Sequence, residues 1–162
     1  MAGNAILLEF TGYWNEYNKG TMPPVSGIYC VYGGIEDPQK KKVDVKELIY
    51  IGESDNVNRR LADHDGILLW RSCLNLGRAL CFNFVPIGPA DRERCEAALI
   101  FKHKPPANIS YVDTFPFEST TIQVSRRAPL LERKFTVQRM MVPGEVAPSG
   151  LMSRGLRLVR SF

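Results

Sequence analysis

Two short runs rich in β-branched and aromatic residues, Gly27 to Tyr32 and Glu47 to Gly52, constrain this chain more than anything else in it. A strand leaves its backbone N–H and C=O groups unsatisfied until another strand pairs with it, so two such runs around one polar stretch predict an antiparallel hairpin. The polar residues 36–47 read as its long loop, opening at Gly33-Gly34. A third run, ALCFNFVPI over Ala79 to Ile87, extends the same sheet. Pro23-Pro24 breaks the chain before this core, and Pro105-Pro106 ends its last helix.

Between the strands the pattern turns helical. Ser54-Asp55 reads as the cap of a helix running to about His64, in which Val57 and Leu61 form an i,i+4 apolar pair facing the core. At 100° per residue Arg60 lies about 60° from Val57 and Arg59 about 160°, so Arg60 borders the buried stripe and Arg59 faces out. His64 shares the face of Arg60. A second helix is expected over Ile67 to Leu76, and a third, capped by Asp91, over Arg92 to about His103. At the N-terminal end, Ile6 to Phe10 reads as an edge strand, and Tyr13, Trp14 and Tyr17 read as a helical turn. After Asn108 a β-rich, proline-punctuated stretch extends to about residue 142, followed by the linker-like VPGEVAPSG. There is no internal repeat.

Composition narrows the class. A chain of 162 residues, 44% hydrophobic and 23% charged, is the size of one domain with an ordinary core. Neither a basic signal-type leader nor a run of about 18 apolar residues is present, which predicts a cytoplasmic protein with no membrane partner. Four cysteines at irregular spacing, Cys30, Cys73, Cys81 and Cys95, fit neither a disulfide framework nor a zinc site and read as reduced thiols. Charge is uneven: residues 126–162 hold eight Lys/Arg against two acids, whereas the first 125 residues hold 13 basic and 15 acidic side chains. A polyanion-binding surface made by bulk charge is therefore C-terminal.

One ordered set of residues goes further. Gly27-Ile28-Tyr29, then Tyr50-Ile51-Gly52, then Arg60 and His64 ten and fourteen residues past Tyr50, then a helical Glu96 and the exit KPPAN ending at Asn108 resemble the GIY-YIG nuclease family over residues 26–110. Either tripeptide alone is weak, but the ordered set is specific. The 20 residues between Tyr29 and Tyr50 are about twice the family's usual number; the excess falls in the loop, where insertion carries a small entropic cost.

The chemistry has its own logic. Hydrolysis of a phosphodiester needs an activated water and neutralisation of phosphate charge, and usually a hard divalent cation supplies both. Glu96 suits Mg²⁺ (or Mn²⁺), which accepts one or two carboxylates and keeps several waters. Arg60 supplies a planar cationic donor for phosphate oxygens. Tyr29 has a phenol whose pKa of about 10 opposes a role as base, and His64 is the better base by its ordinary pKa. The resemblance implies that the Tyr29 hydroxyl contacts the nucleophilic water with Tyr50 and His64 nearby; which group takes the proton is open. It also implies a supporting role for Asn108, while Gly27 and Gly52 serve backbone geometry. Arg59, the lysine run with Lys41 at its centre, and Arg154 and Arg157 are the candidate DNA contacts. His103, seven residues past Glu96, reads as a helix-end histidine with a lesser claim as a ligand.

The expectation is thus an α/β (α+β) fold, a small central, mostly antiparallel sheet flanked by helices. Residues 1–25 form an N-terminal extension packing on the core, 26–110 the GIY-YIG-like core, 111–142 a β-rich extension of the same domain, and 143–162 a basic tail. The expected activity is divalent-metal-dependent endonucleolytic cleavage of DNA, RNA not being excluded. The alternative is a catalytically silent module of the same fold that binds nucleic acid or a protein.

Overall fold

A computed structural model of the chain describes residues 4–125, 127–142 and 144. It is a mixed α+β fold with two mostly antiparallel sheets and three helices. In the larger sheet β2 (Thr11–Asn15), β3 (Gly27–Asp37), β4 (Lys42–Ser54) and β5 (Ala79–Pro86) lie in the order β2-β5-β3-β4 with every pairing antiparallel. In the smaller, β1 (Ile6–Leu8) pairs parallel with β6 (Thr120–Val124), which pairs antiparallel with β7 (Lys134–Val137).

The central hairpin differs from expectation in one informative way. Its strands run on through the segment read as a long loop, paired from Gly27↔Ser54 to Asp37↔Lys42 with register shifts at Val31/Tyr32 and Gly33/Gly34, and a tight turn joins them. Asp37 makes that turn by accepting hydrogen bonds at Oδ1 from the amides of Gln39 (3.1 Å) and Lys40 (3.2 Å), and Lys41 closes it with φ 51°. The alternation of Lys42, Val43, Asp44, Val45 and Lys46 is strand periodicity under a charged disguise: Val43 and Val45 pack against the core while their neighbours face water. The additional residues lengthen a ribbon.

Two other local readings yield to tertiary pairing. Tyr13 and Trp14 belong to β2 because β5 offers an open edge and aromatic partners: Tyr13 meets Tyr32 edge-on at 6.1 Å, and Trp14 packs on Phe84 at 5.5 Å. Only Lys19–Thr21 forms a helical turn, of the 3₁₀ kind. Strand β1 stops at Leu8, yet Leu8 and Phe10 are both core residues.

The helices are displaced from their expected bounds for reasons of capping. Helix α1 (Val57–Ala62) starts from Asn56, whose side chain accepts from the Arg59 amide at 3.0 Å, while Ser54 Oγ accepts from the Asn56 amide and so shapes the approach. Helix α2 (Ile67–Ser72) is shorter than expected. Helix α3 (Pro89–His103) begins ahead of Asp91, because proline at the first turn lacks only an N–H that has no partner there. It ends at Lys104, in the left-handed region at φ 48°, one residue before the proline pair.

The larger sheet carries a core on each face. Ile28, Cys30, Tyr32 and Ile51 point toward α3 and the smaller sheet, where they join Leu99, Ile122 and Phe135. Tyr29, Val31, Ile49 and Phe82 point toward α1 and α2, where Val57, Leu61 and Trp70 cover them. After Asn108, among the described residues, the strands are β6 and β7 with one isolated bridge between Phe115 and Met140, less than expected for a β-rich stretch. All four cysteines are free thiols, and burial pushes Cys30, Cys81 and Cys95 up to about 12. Among the described residues no helix is long and apolar enough to cross a membrane.

Candidate active site

Strand register brings the two tripeptides together. Tyr29 lies opposite Gly52 and Val31 opposite Tyr50, which sets the two phenol rings 6.2 Å apart at 32°. A methyl group on Gly52 would come within 2.4 Å of Tyr29 Cζ and Oη and 2.8 Å of Tyr50 Cε1. The absent side chain is the space the Tyr29 phenol occupies. Gly27 serves a different need: a Cβ there would stand 2.4 Å from the carbonyl oxygen of Val85 in the neighbouring strand.

Asn108 completes the outer edge of β4. Its Oδ1 accepts from the Ile51 amide at 2.9 Å, and its Nδ2 donates to the Ile51 carbonyl at 2.8 Å. The Ala107 amide donates to Ile49 O at 3.0 Å. One side chain thus satisfies both backbone groups at the middle of Tyr50-Ile51-Gly52, as a neighbouring strand would.

Helix α1 separates its two arginines as their phase predicts. Arg59 is exposed and reaches Asp55 at 3.5 Å, whereas Arg60 is half-buried and acts on Tyr29 by charge and by a hydrogen bond. Burial raises the Tyr29 phenol well above its usual value, Tyr50 raises it further, Arg60 lowers it, and the charge of Glu96 raises it. Tyr29, 1% exposed, therefore keeps its proton at neutral pH.

His64 occupies the expected place, in surroundings that oppose its taking up a proton. The Gly66 N–H donates to its Nδ1 at 2.7 Å, and a backbone amide can only donate, so Nδ1 holds the lone pair and Nε2 the proton. Burial, then the charges of Arg60 and Lys19, push its pKa down to about 3. A neutral ring whose single lone pair is already engaged is a weak acceptor for a proton from water. It is wedged 4.2 Å from Trp70 and 5.6 Å from Tyr50, and any Cβ at Gly66 would collide with it at 2.7 Å. Nε2–H is buried with no hydrogen-bond partner among the described residues. A cavity of about 20 Å³ beside Tyr50, His64, Trp70 and Asn108 is large enough for one water and no more.

Glu96 sits on the buried face of α3 at 2% exposure. Among the described residues no group of three or more His, Cys, Asp or Glu could hold a metal ion. One buried carboxylate whose charge reaches the Tyr29 phenol nevertheless fits Mg²⁺ or Mn²⁺, hard cations that take one carboxylate and keep waters for a substrate phosphate to displace. Glu53, the other acid close by, is bound by Arg92 Nε.

Several neighbours gave no signal in the sequence. Trp70 and Gly66 support His64 from α2 and the turn before it, and Lys19 donates to Leu61 O at 2.7 Å across the end of α1. Only the fold places Lys19 there. Lys41 lies exposed in the hairpin turn, and Arg154 and Arg157 lie outside the described residues. His103 is fully engaged, with Nδ1 against Leu99 O at 2.9 Å and Nε2 accepting from the Glu132 amide at 2.8 Å; it is a joint between α3 and the smaller sheet, not a ligand. No family model, no curated protein and no solved structure matches the chain.

Proposed function

We propose that the protein is a divalent-metal-dependent endonuclease of the GIY-YIG type that hydrolyses DNA phosphodiester bonds in the cytoplasm. What carries this reading is the buried Tyr29 hydroxyl, on which the Arg60 guanidinium and the charge of the equally buried Glu96 both act, three groups from three elements. In this reading Glu96 holds Mg²⁺ or Mn²⁺, which supplies Lewis-acid polarisation of the phosphate and a lowered pKa for bound water. Arg60 donates to phosphate oxygens and holds negative charge as it builds. The Tyr29 Oη, protonated at rest, orients the attacking water through its lone pair and proton. His64 contributes a fixed N–H donor and a packed ring beside Tyr50. Asn108 keeps Tyr50 and Gly52 in line by holding Ile51.

The second reading, a silent module binding nucleic acid or a protein, draws support from the burial of Tyr29 and Glu96 at 1% and 2% exposure. One experiment separates the two. Plasmid and branched DNA are incubated with the full chain in Mg²⁺, Mn²⁺ or EDTA, alongside Glu96→Gln. The nuclease gives metal-dependent nicking that Glu96→Gln reduces to below about one-hundredth. Absence of any metal-dependent product on either DNA gives the module. Arg60→Ala lowers the rate about a hundredfold, roughly 3 kcal/mol, and Arg59→Ala far less; the reverse order excludes Arg60 as the phosphate clamp.

A further inference from the structure

A buried polar knot lies on the opposite face of β4 from the tyrosines. Glu53 follows Gly52 directly, so its side chain points the other way through the pleat, and its carboxylate is 1% exposed. Arg92, in the second turn of α3, donates from Nε to Glu53 and from Nη1 to Ser26 Oγ at 2.7 Å. Ser26 Oγ passes the contact on to Ile87 O at 2.6 Å, and the Ile87 amide returns to Ser26 O at 3.0 Å. One guanidinium thus ties α3 to β4 and to the residue just before β3, and through that residue to the one that follows β5.

What this knot controls follows from helix geometry. Arg92 and Glu96 are four residues apart, hence about 40° and 6 Å apart on one face of α3. The helix has no side-chain cap at Gly88, and its buried face begins only at Cys95, so the Arg92 contacts are the restraint on its rotation nearest its start. A forked, planar group held by one partner on β4 and another just ahead of β3 restrains that rotation directionally. Glu53 moves with Gly52, on which Tyr29 rests, and Arg92 moves with Glu96.

We infer that Glu53 and Arg92 are positioning residues that set the rotation of α3 so that the Glu96 carboxylate faces the Tyr29 hydroxyl. The inference rests on the nuclease reading above, and it adds two residues that touch neither metal nor phosphate. Outer partners of this kind are worth 10- to 100-fold in metal affinity or rate.

The test uses Arg92→Lys, which keeps the charge and removes the fork, and Ser26→Ala, which removes one prong. Arg94→Ala is the control on the same helix: it breaks contacts with Asp91 of α3 (2.8 Å) and Thr120 of β6 (3.4 Å), neither of them part of the knot. Mn²⁺ binding to each full chain on a non-cleavable phosphorothioate duplex is followed by loss of the free-ion paramagnetic signal, together with duplex affinity, single-turnover rate on ordinary DNA and thermal unfolding. Arg92→Lys is expected to weaken Mn²⁺ binding and slow the step about tenfold each, with duplex affinity unchanged. Ser26→Ala shifts both in the same direction by about threefold, and serves alone where Arg92→Lys fails to fold. Arg94→Ala changes only the unfolding temperature. If Arg92→Lys and Ser26→Ala lose stability while Mn²⁺ binding and rate stay at wild-type values, the knot is a fold anchor and the inference is wrong. A wild-type chain with neither Mn²⁺ binding nor cleavage removes the nuclease reading itself.

Discussion

Gly27 and Gly52 hold matching places in the two tripeptides, yet a methyl group at each would strike different things. At Gly52 it meets the end of the Tyr29 ring, and at Gly27 the backbone carbonyl of Val85. Gly52→Ala should therefore displace the phenol, lowering single-turnover rate about a hundredfold at a stability cost of about 1–3 kcal/mol. Gly27→Ala should be the more destabilising change, since a strand must shift where only a ring would otherwise turn. Thermal unfolding and rate measured on both variants test the order; equal rates for Gly52→Ala and wild type would mean that the Tyr29 position is irrelevant to chemistry. His64 yields a pH prediction. Its folded pKa of about 3 lies below its ordinary value of about 6.5, so folding favours the neutral ring. That contribution is complete above about pH 6.5 and is lost as pH falls toward 3, where the unfolded chain takes up a proton that the native chain refuses. Urea unfolding across this window should show a loss of stability that shrinks in His64→Asn, whose amide oxygen still accepts from Gly66. The pH–rate profile of that variant should keep its ascending limb. Loss of the limb would restore His64 as the base.

At the scale of elements, what could be read in the chain was whatever has a local cause. The runs at Gly27, Glu47 and Ala79 became strands because β-branched and aromatic residues suit a half-buried pleat, and Val57 with Leu61 fixed which arginine turned inward. The ribbon beyond Gly34 was concealed because its valines alternate with charges, a composition shared by strands and loops. Strand β2 was concealed because Tyr13 and Trp14 find their partners in β5, far along the chain. Asn108 was readable as a support, but not as the substitute for a strand on β4. Asn108→Ala leaves the Ile51 N–H and C=O unpaired, which should cost about 1–3 kcal/mol and speed hydrogen exchange of the Ile51 amide well beyond that of Cys30, its partner in β3. Unchanged exchange at Ile51 would show that the edge is held by something other than this side chain.

For the molecule as a whole, the second sheet is the feature no local pattern announces, since β1 pairs with β6 across almost the full length of the described chain. That sheet also carries the charge asymmetry: Arg133, Lys134 and Arg139 are exposed on or beside β7, and Arg154, Arg157 and Arg160 follow in sequence. The first 125 residues hold 13 basic and 15 acidic side chains, so they add no bulk attraction for a polyanion. Each Lys or Arg that neutralises a phosphate releases a counterion, and the number of such contacts is read from the slope of log affinity against log salt. Removing residues 143–162 takes away three arginines and leaves both sheets intact. The truncated chain should bind duplex DNA more weakly at about 0.15 M salt, with the slope reduced by up to about three units. Single-turnover rate at saturating protein should hardly change, because Tyr29, Arg60 and Glu96 all remain. Equal affinity and slope in the two chains would assign the basic end to solubility alone and leave β7 and the hairpin lysines as the phosphate contacts; a fall in rate at saturation would instead tie that end to the catalytic step.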